Sequence, residues 1–426
     1  MKIIGKFCVV TACALLACGT VFAAGGKETT KSSTPAKKTV LTFYHWIGAD
    51  AQAVVDEIDA RFMKEYPEIE VQFESIPGDQ YINLQKVKLA SGDAPDVFGV
   101  HPGTPVRDYA KAGYLMDLSA EPYIKDIQEG ALLGSRGIDG KIYSVPTDQN
   151  VIIVTYSRKV FKDLGLDVPT NWNDFLSVCE KIKGAGFYPL ALGNKDLWVT
   201  QLIPYAMAPS MIYAKNTDFD KEMYEGKRKF AGPEWKAVME RYLDLDKRGY
   251  FHPGVLGTTY DQTIQLMATG RAAMVVQGNW ILPGIRSAAP DMELGMFPLP
   301  AVEKGQDIWI SSAVGATMAI SSKTKNSDAA RKFVAFWMRP DIMKLYLMEK
   351  KAFSAIKSVS VDFDPAAAEL APFLAKGKTY PFLDQNWPTG PQDVLFKVIQ
   401  EVFVGAKTID QALAAIDDEW KARTAK

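Results

Sequence analysis

The sequence predicts two α/β lobes, each with a doubly wound sheet. The chain has 426 residues, which is long for a single hydrophobic core. Strand and helix patterns alternate from about residue 40 onward, and the same alternation resumes after residue 150. Alternation of this kind is typical of a largely parallel sheet covered by helices on both faces.

Five strands and helices of the first lobe are predicted between residues 40 and 100. Ordered structure is predicted to begin at Val40, where β-branched and aromatic residues replace the Gly-, Lys-, Ser- and Thr-rich stretch before it. Apolar residues then recur at helical or alternating spacing in turn. This pattern predicts strand, helix, strand, helix and strand over Val40–Trp46, Ala51–Tyr66, Glu70–Ile76, Tyr81–Ala90 and Asp96–Val100.

The second half repeats the alternation with more buried strands. Val151–Tyr156 is almost entirely apolar, as a strand covered on both faces would be. Further strands and helices are predicted at Trp172–Lys183 (helix), Pro189–Leu192, Ala272–Gln277 and Gly315–Ile320 (strands), and Asp328–Met338, Asp341–Lys350 and Val394–Trp420 (helical).

The predicted organisation has four parts, and the chain crosses between lobes more than once. These parts are a signal peptide at 1–23, a flexible tether at 24–38, a first lobe at 39–147 and 314–365, and a second lobe at 148–313 and 366–426. A cleft between two such lobes is the expected place for a ligand.

Composition excludes some classes of function. The hydrophobic fraction is 47% and the charged fraction is 23%, as in folded globular proteins. Because 49 basic and 50 acidic residues leave a net charge of −1, no nucleic-acid partner is predicted.

The N-terminus predicts export. The apolar run Phe7–Ala17 follows Lys2 and Lys6 and is about half of the ~20 residues that a membrane-spanning helix needs. It therefore indicates a secretory signal rather than a permanent anchor. We expect a periplasmic or other extracytoplasmic location.

Two ways of processing the leader remain open. Leu15–Cys18 resembles a lipobox, in which Cys18 would be acylated and become the first residue of the mature protein. Val21–Ala23 resembles an ordinary cleavage site, with the cut after Ala23 or Ala24. Membrane contact is expected only through the lipid anchor of the first alternative.

The chain has few residues of the types that commonly serve in catalysis or metal binding. It has three histidines, and its cysteines other than Cys179 lie in the leader. Cys179 falls on a helical pattern, which favours a buried structural thiol. No metal-ligand, nucleophile-elbow or phosphate-loop motif is present. We therefore predict a binding protein without catalytic residues, metal or cofactor.

Tryptophans in predicted loops are the main functional signal. An indole can stack on the C–H face of a sugar while nearby amides and carboxylates bind its hydroxyl groups. Each loop tryptophan could equally be a packing residue, and we favour Trp280 and Trp387 as ligand contacts. The candidates are Trp46, Trp198, Trp280, Trp309 and Trp387. By contrast, helical patterns predict core positions for Trp235, Trp337 and Trp420, and helix-start packing for Trp172.

Polar residues near two predicted strands are further candidates. His101 follows the third strand, where cleft residues belong, although loop packing is an equal alternative. Asp148, Gln149 and Asn150 lie where the chain is predicted first to change lobe. Hinge, cleft and surface positions all remain open for these three, with the cleft favoured.

Ten short segments resemble those of the extracellular solute-binding proteins of family 1, the sugar-binding components of ABC importers. The segments follow the same order along the chain and have similar spacing. These segments are Leu41–Trp46, Phe62–Val71, Leu89–Val97, Gly140–Pro146, Thr155–Phe161, Val168–Phe175, Met267–Met274, Gly278–Trp280, Phe297–Pro300 and Ala329–Val334. Each segment is weak alone, but together they span nearly the whole mature chain.

The resemblance implies the fold and the site. The fold would be of the periplasmic-binding-protein type II, two lobes joined by hinge segments. Stacking aromatics would be Trp280 and Trp387, and polar contacts would fall on Asp148–Asn150, on His101, and near Asn194 with Trp198. Maltose-binding relatives carry an acidic and a basic residue where this chain has His101, Pro102 and Gly103, so maltose itself is not the expected ligand.

These observations predict a monomeric protein that binds a carbohydrate and delivers it to the membrane permease of an ABC transporter. One alternative is a secreted carbohydrate-active enzyme, because two catalytic carboxylates leave no sequence motif. Another is a binding protein for a polyamine, iron or a phosphorylated polyol. A third is a sensor that presents its bound ligand to a receptor.

Overall fold

The computed structural model describes residues 38–47, 51–362 and 364–425. The predicted signal peptide, most of the predicted tether, and Cys18 lie outside the described residues. None of the described helices combines the length and the hydropathy of a membrane span.

Within the described part of the chain, eleven strands form two separate sheets. In chain order the strands are β1 (Thr39–His45), β2 (Ile69–Ser75), β3 (Val97–Val100), β4 (Val145–Pro146), β5 (Gln149–Ser157), β6 (Tyr188–Ala191), β7 (Ala272–Gly278), β8 (Leu294–Phe297), β9 (Ile310–Val314), β10 (Thr317–Ile320) and β11 (Thr379–Tyr380).

The first sheet has the order β2-β1-β3-β10-β4, and the second has the order β11-β9-β5-β7-β6, with β8 also paired to β5. β1 is parallel to both β2 and β3, whereas β10 is antiparallel to β3 and β4. In the second sheet β5 is antiparallel to β7, β8 and β9, and β6 is parallel to β7. The chain changes sheets three times: between Pro146 and Gln149, between Val314 and Thr317, and between Ile320 and Thr379.

Helices cover the sheets. They are α1 (Gln52–Glu65), α2 (Gly78–Ser91), α3 (Thr104–Lys111), α4 (Glu129–Leu132), α5 (Arg158–Asp163), α6 (Trp172–Gly184), α7 (Leu202–Ala208), α8 (Phe219–Tyr224), α9 (Pro233–Lys247), α10 (Tyr260–Ala268), α11 (Leu282–Ala288), α12 (Ser327–Trp337), α13 (Pro340–Lys350), α14 (Pro365–Ala368), α15 (Ala371–Leu374), α16 (Pro391–Phe403) and α17 (Ile409–Thr424).

Hydrophobic cores lie on both faces of each sheet, which confirms the doubly wound α/β lobes. One core of the first sheet is built with α1, α12 and α13, and a smaller one with α2 and α3. The second sheet has a large core with α6, α7, α9, α16 and α17, and a further core with α10 and α11. We call each sheet with its covering helices a lobe; the predicted residue boundaries of the lobes stay a prediction.

The predicted core tryptophans and the thiol are buried. Trp172, Trp235, Trp337 and Trp420 are each at most 6% exposed, so their predicted packing roles are confirmed. Cys179 is fully buried on α6, as its helical pattern predicted, and burial raises the pKa of its thiol.

Candidate ligand-binding site

A first group of aromatic rings lies where β1 and β3 end. Parallel strands end at the same edge of a sheet, so Trp46, after β1, lies beside His101, after β3. Their rings stack with centroids 4.2 Å apart and an interplanar angle of 16°. Tyr81 of α2 meets the Trp46 ring edge-on at 5.2 Å. We call Trp46, Tyr81 and His101 the first aromatic group.

His45 supports this group from behind. Its ring is fully buried and lies 4.2 Å from the Trp46 ring between centroids. A side chain at Gly99 would collide, because a Cβ there would lie 2.5 Å from Cδ2 of His45 and 2.8 Å from Cζ3 of Trp46. Glycine at this position therefore lets the histidine and the indole pack against β3.

Both histidines are uncharged at neutral pH. Burial lowers the pKa of His45 to about 3, and the nearby His101 and Lys350 lower it further. Burial also lowers the pKa of His101 to about 4. Nδ1 of His45 accepts a hydrogen bond from the Ile47 amide at 3.1 Å, so the ring proton is on Nε2. The first aromatic group is thus a neutral surface.

A second group of rings lies on the other lobe. Trp198 and Trp280 follow β6 and β7, which are parallel neighbours and end at one edge of the second sheet. Between ring centroids, Trp198 lies 5.2 Å from Tyr260 and 6.4 Å from Trp280, and Trp280 lies 6.2 Å from Phe382. All four side chains are half-buried. We call these four residues the second aromatic group.

Close packing orients the Trp280 indole. A Cβ at Gly278 would lie 2.1 Å from Cζ3 of Trp280, so the ring folds back across the last residue of β7. Only glycine leaves room for this arrangement. The Gly-Asn-Trp sequence at 278–280 therefore fixes where the indole lies.

Two contacts between the lobes bring the groups towards each other. Helix α2, which carries Tyr81, contacts the turn Leu197–Val199, which carries Trp198. Helix α3, which begins three residues after His101, contacts the turn Leu383–Gln385, directly after Phe382. The two aromatic groups therefore lie at the junction of the lobes, on opposite sides of it.

Asp148 and Asn150 join the first two sheet crossings. Oδ1 of Asp148 accepts hydrogen bonds from Nδ2 of Asn150 at 3.0 Å and from the Ala316 amide at 3.1 Å. Both side chains are buried, at 5% and 4% exposure, and burial raises the pKa of Asp148 to about 6. Gln149 pairs through its backbone with Phe353 at 2.9 and 3.0 Å. This geometry supports a hinge position for the three residues, and their contact with a ligand stays a prediction.

Three other predicted site residues do not join either aromatic group. Trp387 is 1% exposed and packs within 6 Å of Tyr205, Phe230 and Trp235 between ring centroids. Asn194 is fully buried, and its Nδ2 donates to the Tyr242 hydroxyl at 3.0 Å.

Trp309 is the third predicted site residue that lies outside both aromatic groups. It is half-buried, it lies under the Lys378 ammonium, 5.8 Å from the ring centroid, and its amide donates to Oγ of Ser210. These contacts give Trp309, Trp387 and Asn194 packing roles. For all three, ligand contact stays a prediction that the contacts do not support.

Sequence reasoning missed Tyr81, which is 2% exposed and supports the Trp46 ring from below, and the half-buried Tyr260 and Phe382. Tyr81 and Tyr260 lie in the first turn of helices, and their spacing is that of ordinary amphipathic positions. Phe382 precedes a short 3-10 turn. Nothing in the local sequence separates these rings from core residues, because their role depends on which elements meet in space.

Among the described residues, no group of three or more His, Cys, Asp or Glu side chains is placed to hold a metal ion. The aromatic groups can instead offer flat apolar faces to a ligand.

Residues 47–344 match the family described as bacterial extracellular solute-binding proteins. The chain belongs to this family. The resemblance seen in the ten sequence segments is therefore confirmed for most of the chain.

Similar proteins of this family carry sugar-related names. The chain is 27% identical to the multiple sugar-binding protein of Streptococcus mutans over 370 residues, covering 86% of this chain and 87% of the relative. It is 26% identical over 384 residues to the melibiose/raffinose/stachyose-binding protein MelE of Bacillus subtilis, covering 88% of each.

Solved structures share the fold of this solute-binding protein. A chitin oligosaccharide binding protein superposes with a TM-score of 0.81 at 24% identity, covering 91% of this chain and 99% of the other. A sugar transporter protein from Bacillus licheniformis in complex with stachyose gives a TM-score of 0.79 at 22% identity, covering 90% and 100%. These likenesses confirm the two-lobed type II fold.

Proposed function

We propose that this solute-binding protein captures a neutral sugar or oligosaccharide between its lobes and delivers it to the membrane permease of an ABC transporter. The observation that carries the proposal is that half-buried rings lie on opposite sides of the lobe junction: Trp46 and His101 of the first aromatic group, and all four rings of the second. The names of the similar proteins from Streptococcus mutans and Bacillus subtilis support a carbohydrate as cargo.

The chemistry of the aromatic groups suits an uncharged polyol. Indole and phenol rings cover the C–H faces of pyranose rings, while a few polar atoms bind hydroxyl groups. Because both His45 and His101 are neutral at pH 7, the first aromatic group brings no charge to the ligand. A phosphorylated ligand would instead need basic groups or helix N-termini, and a polyamine would need converging carboxylates.

Capture works through the hinge. Each aromatic group belongs to a different lobe, so a sugar contacts both only when the lobes are closed. A ligand shifts such an equilibrium by its difference in affinity for the two states. The bending would occur at Asp148, Gln149 and Asn150, and the closed form would dock on the permease.

The proposal includes export and monomeric action. The predicted signal peptide would direct the chain out of the cytoplasm, and the protein would then be either free or anchored through lipidated Cys18. It would act without catalytic residues, metal or cofactor and release its sugar intact.

A thermal-shift screen tests this proposal. We expect one or more of melibiose, raffinose, stachyose and chitin oligosaccharides to raise the melting temperature, because a ligand that binds only the native state stabilises it. Spermidine and glycerol 3-phosphate serve as controls for the other cargo classes. A shift with a control and none with any sugar would overturn the carbohydrate assignment.

A further inference from the structure

A set of direct hydrogen bonds joins the lobes beside the aromatic groups. The Thr104 hydroxyl of α3 donates to the Trp387 carbonyl at 2.5 Å. Nη2 of Arg107 donates to the Gln385 carbonyl at 2.7 Å and lies 2.7 Å from Oγ1 of Thr104, which accepts from it. The donors belong to the first lobe, and the accepting carbonyls follow β11 of the second.

The accepting segment 385–387 is held firmly in the second lobe. The Asp220 carboxylate, 6% exposed, accepts from the Tyr213 hydroxyl at 2.6 Å and from Nε1 of Trp387 at 3.4 Å. Nε2 of Gln385 donates to the Val314 carbonyl at 2.8 Å. Because these bonds hold the Gln385 and Trp387 side chains against the second lobe, the backbone carbonyls of the segment face the first lobe.

The backbone at the start of α3 approaches this segment without an intervening side chain. Gly103 has a φ of 85°, and a Cβ there would lie 2.3 Å from the Gln385 carbonyl oxygen. Glycine therefore serves both the left-handed conformation and the close approach. Thr104 and Arg107 reach the carbonyls only because the two lobes come this near to each other.

We propose that Thr104 and Arg107 form a clasp that favours lobe closure independently of the sugar. The Thr104 side chain is 8% exposed, and the hydrogen bonds of both residues are made to protein atoms. A guanidinium bonded to a carbonyl is stronger than a neutral pair. The clasp therefore supplies part of the free energy of closure and leaves the ligand less to supply. This inference rests on the proposed function, since it assigns Thr104 and Arg107 as positioning residues for sugar capture.

Small-angle X-ray scattering of the sugar-free protein tests the clasp. We expect Arg107→Ala and Thr104→Val to have a larger radius of gyration than the unsubstituted protein, because fewer molecules are closed. Thr104→Ser keeps the hydroxyl and is expected to restore the original value. Arg136→Ala is the matched control, because Arg136 of the first lobe is also half-buried but bonds within that lobe, to Glu129 and to the Gly140 carbonyl.

Kinetics with raffinose give the second measurement. Loss of a bond to a charged group should raise the dissociation rate about 10-fold and leave the association rate nearly unchanged. Identical scattering of all variants without sugar would overturn the clasp, and so would unchanged dissociation from variants that bind raffinose. If no sugar bound the unsubstituted protein, the proposed function would fail, while the sugar-free scattering would still decide the clasp.

Discussion

At the scale of single residues, the loop tryptophans divide into two kinds. Trp280 and Trp387 both lie in segments that local sequence marks as loops, and the sequence favours both as ligand contacts. Trp280 is half-buried within the second aromatic group, whereas Trp387 is 1% exposed and packs against the core. The difference arises because the Trp387 ring packs against Trp235 of α9 and Trp420 of α17, long-range contacts that the sequence around Trp387 does not reveal.

The two tryptophans should therefore respond differently to truncation. We expect Trp280→Ala to weaken sugar binding by about 1–3 kcal/mol, the scale of one large buried apolar contact, with little loss of stability. Trp387→Ala should instead lower the free energy of unfolding by about 3–5 kcal/mol, because it leaves a cavity. Calorimetry with raffinose and denaturant titration of each variant check the assignment. The reverse pattern would show that the roles are exchanged.

The buried Asp59 carboxyl should make the stability of the protein depend on pH. Its side chain on α1 is 5% exposed, its Oδ1 has no hydrogen-bond partner, and burial raises its pKa to about 8. Between its unfolded pKa of 3.8 and this value, the folded chain holds a proton that the unfolded chain has lost. Stability should therefore fall as the pH rises through this window, by up to about 1.4 kcal/mol per pH unit.

Asp59→Asn, which cannot ionise, should remove this part of the pH dependence. Denaturant titrations of both proteins at about pH 5 and about pH 8 measure it. The variant should gain stability relative to the original protein at the higher pH. An equal difference at both values would contradict the raised pKa.

At the scale of elements, periodicity located most strands and helices, but it could not order the strands. The apolar run Val151–Tyr156 predicts a buried strand, and it is the centre of β5 (Gln149–Ser157). The predicted helical stretch Val394–Trp420 is two helices, α16 and α17, because Gly405 adopts a φ of 73° between them. The antiparallel insertion of β10 between β3 and β4 joins residues more than 150 positions apart, and no local pattern encodes it.

At the scale of elements, we predict that a side chain at Gly315, in the second sheet crossing, lowers the stability of the protein. A Cβ at this position would lie 2.0 Å from Nδ2 of Asn150 and 2.8 Å from Oδ1 of Asp148. Gly315→Ala should therefore break the bonds that join the two crossings and lower the free energy of unfolding by about 1–3 kcal/mol. Gly130→Ala is the control, since a Cβ there has no atom within 4 Å. Equal stability of the two variants would show that the crossings are not coupled through Asp148.

At the scale of the whole molecule, the sequence predicted two lobes and a site between them because both depend on the order of elements. Parallel neighbours such as β1 with β3 and β6 with β7 bring loop residues to one edge of a sheet, so Trp46 with His101 and Trp198 with Trp280 could be anticipated. The bonds of Thr104 to Trp387 and of Ala316 to Asp148 could not be anticipated, because their partners are 283 and 168 residues apart in the sequence.

Titration calorimetry, followed by recovery of the bound sugar, tests the central claim most directly. The protein is titrated with raffinose, stachyose and chitin oligosaccharides, and each complex is then denatured and its sugar analysed by chromatography. The account predicts one sugar per chain, recovered at its original length. Shortened products, or an absence of binding heat with every sugar, would contradict it.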